Sequence, residues 1–278
     1  MIDRNRVRQQ FADYTAAYDT ADEKIKLKIE HTYRVADLCE QIARAEGLSS
    51  YDIDFAWLSG MLHDVGRFEQ LRQYGTFSDA DSIDHALLGV QILFGTEAGQ
   101  GRIRDYVDEL DMDMVKEDEH NEDACTEEAR IEAVIRYHSA YRLPENLDAR
   151  TRLFCNILRD ADKIDILKVN VDVPLEAIYN TTTEELRTCA VTDTVMQAYY
   201  EEQAILRALK RVPVDNVVSH IALVYELVFP VSITIVQQQG YLDKLLHFES
   251  ANPITQEQFE QLRTYMEDYL ARKQAIRK

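Results

Sequence analysis

GMLHDVGRFEQL, residues 60–71, decides how this chain is read. His63 and Asp64 stand side by side at the end of an apolar helical run that includes Leu58, Met61 and Leu62. A core does not need such a pair, and a solvated surface would not surround it with leucine, methionine and valine. Gly66 follows at once, and the helix is expected to break near it.

The flanking sequence reads as more helix. With 278 residues the chain suffices for one large domain or two smaller ones and buries about three quarters of its unfolded surface. It holds only 9 Gly and 5 Pro, so breakers are few and helices long. Start signals recur. Thr20-x-x-Glu23 resembles a capping box for a helix that Gly47 closes, and Ser49-x-x-Asp52 opens the helix leading to His63. Ser78-x-x-Asp81 is expected to open a third helix ending before Gly95, and Thr126 a fourth running to about Ala140. Further helices are expected over roughly 147–169, 192–209, 215–229 and 255–276. VSITIV, 231–236, is strand-like in composition but reads as a short buried helix between Pro230 and Gly240. The expected fold is all-α.

The net charge is −19. An acidic chain repels phosphate backbones and anionic membranes, so duplex nucleic acid and membrane surfaces are excluded as partners. Residues 105–128 hold twelve acids against Lys116 alone and read as a solvated insertion, because Asp111-x-Asp113 lacks the glycine that a calcium loop needs. Cys39, Cys125, Cys155 and Cys189 show no paired spacing and read as reduced thiols. The N-terminal MIDRNRVRQQFADY has no apolar core and no run of about 18 apolar residues occurs, so a cytoplasmic protein is expected.

Other polar residues repeat the puzzle of the doublet. In EHTYRVADLCEQIA, His31 shares a stripe with Leu27, Val35 and Leu38. In NILRDADKIDILKV, Asp162 shares one with Leu158, Ile166 and Val169. His85 in IDHALLGVQIL and His138 in IEAVIRYHSAYRLP also fall on apolar faces. One such residue is an ordinary core histidine or buried ion pair. Four histidines and two acids converging on one core are better explained by a metal site, since a dication supplies the charge the carboxylates lack. Imidazole with carboxylate suits iron, manganese, cobalt, nickel or zinc, with magnesium also admissible. His120 and His247 read as solvated, and His220 as a packing residue that could line the cavity.

The order His31, His63-Asp64, Asp162 resembles the HD superfamily of metal-dependent phosphohydrolases. HTYRV carries the first histidine, GMLHDVGR the doublet and RDADKID the last aspartate, over approximately residues 22–170. His85 in DHALLGVQIL and His138 in VIRYHS are similar to the extra histidines of the binuclear branch, although RYHSAYRLP lacks the paired histidines and Gly-Tyr-Pro string of its cyclic-dinucleotide members. The resemblance implies an HD-domain helical bundle over 22–170, with a helical extension at 1–21 and additional C-terminal helices, 171–278, packed on the core. It implies two divalent ions, one held by His31, His63, Asp64 and Asp162, the other by Asp64, His85 and His138. Arg67 would project beside them and, with Lys163, Arg34 and Arg142, supply positive charge for substrate; Asp64 and Arg67 would be the catalytic pair.

The expected activity is hydrolysis of a small phosphoester, a nucleotide or nucleotide-like metabolite, by a metal-bound hydroxide. The same ligand set resembles that of HD-fold di-iron oxygenases, and a non-catalytic nucleotide-binding sensor would also use such a pocket. Self-association as a homo-oligomer is compatible with either.

Overall fold

The computed structural model describes residues 2–95, 101–108 and 125–275. The fold is all-α, and the described residues contain no strand. The chain divides into two compact units, Met1–Ala161 and Asp162–Lys278, with the boundary inside one helix. Most of the expected acidic insertion, residues 109–124, lies outside the described residues. Among the described residues no helix is long and apolar enough to cross a membrane.

The first unit holds α1 (Arg4–Thr15), α2 (Glu23–Ala45), α3 (Ser50–Leu62), α4 (Val65–Tyr74), α5 (His85–Phe94), α6 (Ile103–Tyr106), α7 (Glu127–Tyr137) and the start of α8 (Ala149–Asp172). Short polar side chains begin several of them. Ser49 Oγ accepts from Asp52 N at 3.1 Å, and Thr126 Oγ1 from Ala129 N at 3.1 Å, each satisfying an amide that the first helical turn leaves open. The start of α2 is capped by the Asp22 carboxylate on Lys24 N, not by Thr20. Gly47, in the left-handed region at φ 70°, ends that helix as expected.

α3 is apolar nearly all round and forms the centre of this unit, with Phe55, Trp57, Leu58, Met61 and Leu62 fully buried. It presses against α2 through Gly60, where an added Cβ would lie 2.5 Å from Ala36 Cα. The α1 helix belongs to the same unit. Phe11 meets Tyr33 and Phe68 edge-on at 5.6 and 5.9 Å, and Tyr14 OH donates to Val65 O at 2.8 Å.

Two expected elements differ. α3 stops at Leu62, and Gly66 is the second residue of α4, not a helix exit. Its lack of a side chain serves a close approach: a Cβ there would meet His85 O at 2.2 Å and Gly89 N at 2.6 Å. Ser78 does not open a helix either. Residues Asp79–Asp81 form one 3-10 turn, and α5 starts at His85, where the Asp84 carboxylate accepts from Ala86 N and Leu87 N at 2.9 and 3.1 Å.

The second unit continues α8 and adds α9 (Leu175–Tyr179), α10 (Thr183–Thr188), α11 (Asp193–Tyr200), α12 (Pro213–Ile221), α13 (Pro230–Gln239), α14 (Tyr241–Leu246) and α15 (Pro253–Ala275). VSITIV lies in α13, a helix as expected, with Pro230 at its first turn and Gly240 at φ 71° after its last. The helix expected over 192–209 breaks after Tyr200, where Glu202 takes φ 55°. The buried Asp215 carboxylate accepts from Thr192 N, Thr192 Oγ1, Arg211 N and Val212 N, tying the start of α12 to that of α11. The α12 helix ends at Ile221, and a 3-10 turn covers Ala222–Glu226 where 215–229 was expected to stay helical.

Candidate metal centre

Five helix positions supply five of the expected ligands. His31 lies on the inner face of α2, His63 caps the C-terminus of α3, Asp64 precedes α4, His85 begins α5 and His138 caps the C-terminus of α7. Each is at most 4% exposed. The two capping histidines are held by their own helices, whose last carbonyls have no helical partner. His63 Nδ1 donates to Gly60 O and His138 Nδ1 to Ile135 O, both at 2.7 Å. Asp64 occupies an N-cap position, yet its carboxylate makes no capping bond and turns to the histidines.

The two oxygens of Asp64 face different pairs. Oδ2 lies 3.6 Å from His31 Nε2 and 3.5 Å from His63 Nε2, while those nitrogens stand 3.3 Å apart. Oδ1 lies 3.5 Å from His85 Nε2 and 3.8 Å from His138 Nε2, which stand 3.0 Å apart. His85 Nδ1 donates to Asp79 Oδ2 at 2.7 Å. Burial pulls His85 down to about 4 against that hydrogen bond, so at neutral pH its single ring proton sits on Nδ1. His138 Nδ1 faces Ile135 O, so in the neutral imidazole its Nε2 is likewise the bare atom, and the two Nε2 atoms point at each other and at a carboxylate oxygen. Three converging acceptors with no proton between them repel unless a cation joins them, so this donor set fits a divalent ion. The groups His31, His63, Asp64 and Asp64, His85, His138 each have ligand atoms close enough to share one.

Burial by itself would raise the Asp64 carboxyl. The Lys28 ammonium, His63, the Arg67 guanidinium and His85 outweigh it and hold the group well below the usual carboxylate range. Lys28 Nζ lies 2.7 Å from Asp64 Oδ2 and Arg67 Nε 3.6 Å from Oδ1. Arg67 Nη1 also donates to Gln70 Oε1 at 2.9 Å, Phe77 O at 2.6 Å and Asp79 Oδ1 at 2.8 Å, so the arginine braces the loop before α5 as well as touching Asp64.

The other expected residues are described by their own elements. Asp162 and Lys163 are half-buried at the start of the second unit, in α8. The fully buried acids of that helix are Asp160 and Asp165, and of the stripe expected to bury Asp162 only Leu158 is fully buried. Arg34 pairs with Glu30 one turn earlier at 3.7 Å, and Arg142 lies exposed over the Tyr141 ring at 4.2 Å.

Sequence reasoning missed Lys28, Asp79 and Arg159. Lys28 stands three residues before His31, on the same helical face, and that offset was a usable signal. Arg159, in the RDADKID string, donates from Nη1 to Tyr137 O, His138 O and Ala140 O, clamping the turn that carries His138. Asp79 carried no signal, lying in a segment that reads as a helix start.

The family model described as HD domain matches residues 29–167, half of the chain, and spans all six residues expected as ligands. No curated protein and no solved structure matches the chain.

Proposed function

The chain belongs to the HD-domain family, and on that premise we propose that it is a metal-dependent phosphohydrolase acting on a small phosphoester, a nucleotide or nucleotide-like metabolite. The observation that carries this reading is the division of Asp64 between two histidine pairs, one per oxygen. His31, His63 and Asp64 would hold one ion and Asp64, His85 and His138 the other, with Asp162 assigned to the first by the family resemblance. A bound pair of divalent ions supplies an activated water at neutral pH and neutralises charge on a phosphoryl group.

The chain's own residues account for the rest. Nδ1–H bonds from His63, His85 and His138 to fixed acceptors select the neutral tautomer in which Nε2 is the bare atom and aim it inward. Lys28, with its side chain 18% exposed, is the cation beside Asp64 best placed to meet a phosphoryl oxygen arriving from solvent. Arg67 keeps Asp64 and the loop at Asp79 in register. The net charge of −19 disfavours polyanionic substrates and leaves these local cations to attract a small one.

The test strips the protein of metal, reloads it with manganese, cobalt or iron, and measures phosphate release from nucleotides and sugar phosphates. Metal-dependent turnover is expected, falling in Asp64→Asn by at least about 10²–10³-fold, the scale for removing one preorganised charge at a reacting group. Iron-dependent oxygen consumption with a polyol or phosphonate, and no ester hydrolysed under any metal, would overturn the reading.

A further inference from the structure

Asp79 lies six residues before His85, outside every helix, in a short 3-10 turn. Its carboxylate has three neighbours from two helices. Oδ2 accepts from His85 Nδ1 at 2.7 Å, and Oδ1 accepts from Arg67 Nη1 and Gln70 Nε2, both at 2.8 Å. Gln70 is fully buried and also donates to Ser82 Oγ and Ile83 O at 2.9 Å, pinning the segment between α4 and α5. The carboxylate thus joins the helix that Asp64 precedes to the helix that His85 begins.

We propose that Asp79 is a positioning residue for the second ion, fixing through its bond to Nδ1 both the tautomer and the aim of His85. The inference rests on the two-ion reading above. A histidine ligates through a bare nitrogen, and a carboxylate on the other ring nitrogen secures that state and raises its basicity. His63 and His138 receive the same service from backbone carbonyls, which no side-chain substitution removes. His85 begins its helix, so it has no preceding turn to supply a carbonyl, and the loop carboxylate takes that place. Asp79, Asp84 and His85 together could themselves hold an ion. Two contacts argue against it: His85 Nδ1 carries the proton given to Asp79, and Asp84 Oδ1 already accepts from two backbone amides.

Asp79→Asn is the discriminating variant. Its carbonyl oxygen would still accept from Arg67 and Gln70, so its amide nitrogen faces His85 and forces Nδ1 to accept. The proton then moves to Nε2, the wrong atom for ligation. Calorimetric titration of the metal-free proteins with manganese, together with nitrogen-15 NMR of the His85 ring, reads the result. Wild type should bind two ions and show protonated Nδ1. Asp79→Asn should keep one ion at wild-type affinity, weaken the other by about 10–100-fold and show protonated Nε2. Asp79→Glu, which restores a carboxylate, should recover part of the loss. Two ions at wild-type affinity in Asp79→Asn, or an unchanged tautomer, would overturn the positioning role while leaving the two-ion reading intact. Fewer than two ions in the wild type would instead defeat the two-ion reading and the inference with it.

Discussion

Gly66→Ala gives two physical effects of opposite sign, and the structure says which wins. Inside a helix, alanine is more favourable than glycine by about 1 kcal/mol, so an open site would be stabilised by the change. Gly66 is not open. Its added Cβ would lie 2.2 Å from His85 O and 2.6 Å from Gly89 N, both backbone atoms at the start of α5. Such contacts essentially never fall below 3.0 Å, so α5 must retreat from α4 by about 0.8 Å or more. No side chain can rotate away to absorb it. Overpacking of this kind costs about 1–3 kcal/mol, and with both contacts on backbone atoms the upper part of that range applies; the net loss of up to about 2 kcal/mol would lower the apparent Tm by up to roughly 8 °C for a chain of this size.

The retreat has a direction. It carries His85 away from Asp64, whose Oδ1 is 3.5 Å from His85 Nε2, while His31 and His63 stand on α2 and α3. A ligand displaced by close to 1 Å should weaken the second ion by about tenfold or more and lower turnover by about 10²-fold, leaving the first ion in place. Gly60→Ala supplies the contrast. Its Cβ would meet Ala36 Cα at 2.5 Å, so it should separate α2 from α3 and weaken the ion at His31 and His63 instead. Calorimetric manganese titration and thermal unfolding of both variants check this. A Gly66→Ala protein with a raised Tm and two undiminished ions would refute the reasoning outright.

Two further outcomes follow from named contacts. Lys28→Met removes the ammonium 2.7 Å from Asp64 and should lower kcat/KM for a phosphoester by about 10–100-fold, the worth of one hydrogen bond to a charged group, with the fold intact by circular dichroism; unchanged kinetics would remove Lys28 from substrate binding. His220, hydrogen-bonded to Tyr179 OH at 2.8 Å, is pulled down to about 3 by burial and then by the Lys210 ammonium, so the native state binds fewer protons than the unfolded chain below its ordinary 6.5. Its contribution is full above pH 6.5 and is lost as pH falls toward 3, with a slope of up to about 1.4 kcal/mol per pH unit. Urea unfolding of His220→Gln between pH 7 and 4 should show a pH slope shallower than wild type by one proton, and parallel curves would refute the assignment.

The candidate ligands could be picked out in the sequence because each breaks a pattern. A histidine on an apolar helical face is conspicuous: His63 and His138 end apolar runs, while His31 and His85 share stripes with buried apolar residues. The all-α class was legible because few glycines and prolines leave no other use for long amphipathic runs. The start of α5 was not. Ser78 and Asp84 both carry capping chemistry, and ties from Arg67 and Gln70 to Asp79, Ser82 and Ile83 hold the segment between α4 and α5. Those ties depend on the reach of side chains from another helix, which no local pattern records. The same limit hid Arg159, whose string was read for its aspartates while its guanidinium holds the α7 turn.

The adjacency of His63 and Asp64 has a backbone cause besides the chemical one. Two residues 100° apart on one helix would not both face the same point. Here the helix ends between them: His63 closes α3 with helical angles, φ −58° and ψ −38°, and Asp64 leaves the helix at φ −106° and ψ 16° to open α4 without a linker. The junction lets consecutive side chains converge, one turned back to its own last-turn carbonyl and the other forward between two histidine pairs. Gly60 before the junction and Gly66 after it let the two helices touch α2 and α5, which bring His31 and His85. The string GMLHDVGR is therefore a single device, a helix junction with a contact glycine on each side. Each glycine permits the close helix contact that brings one of the candidate histidines to the junction.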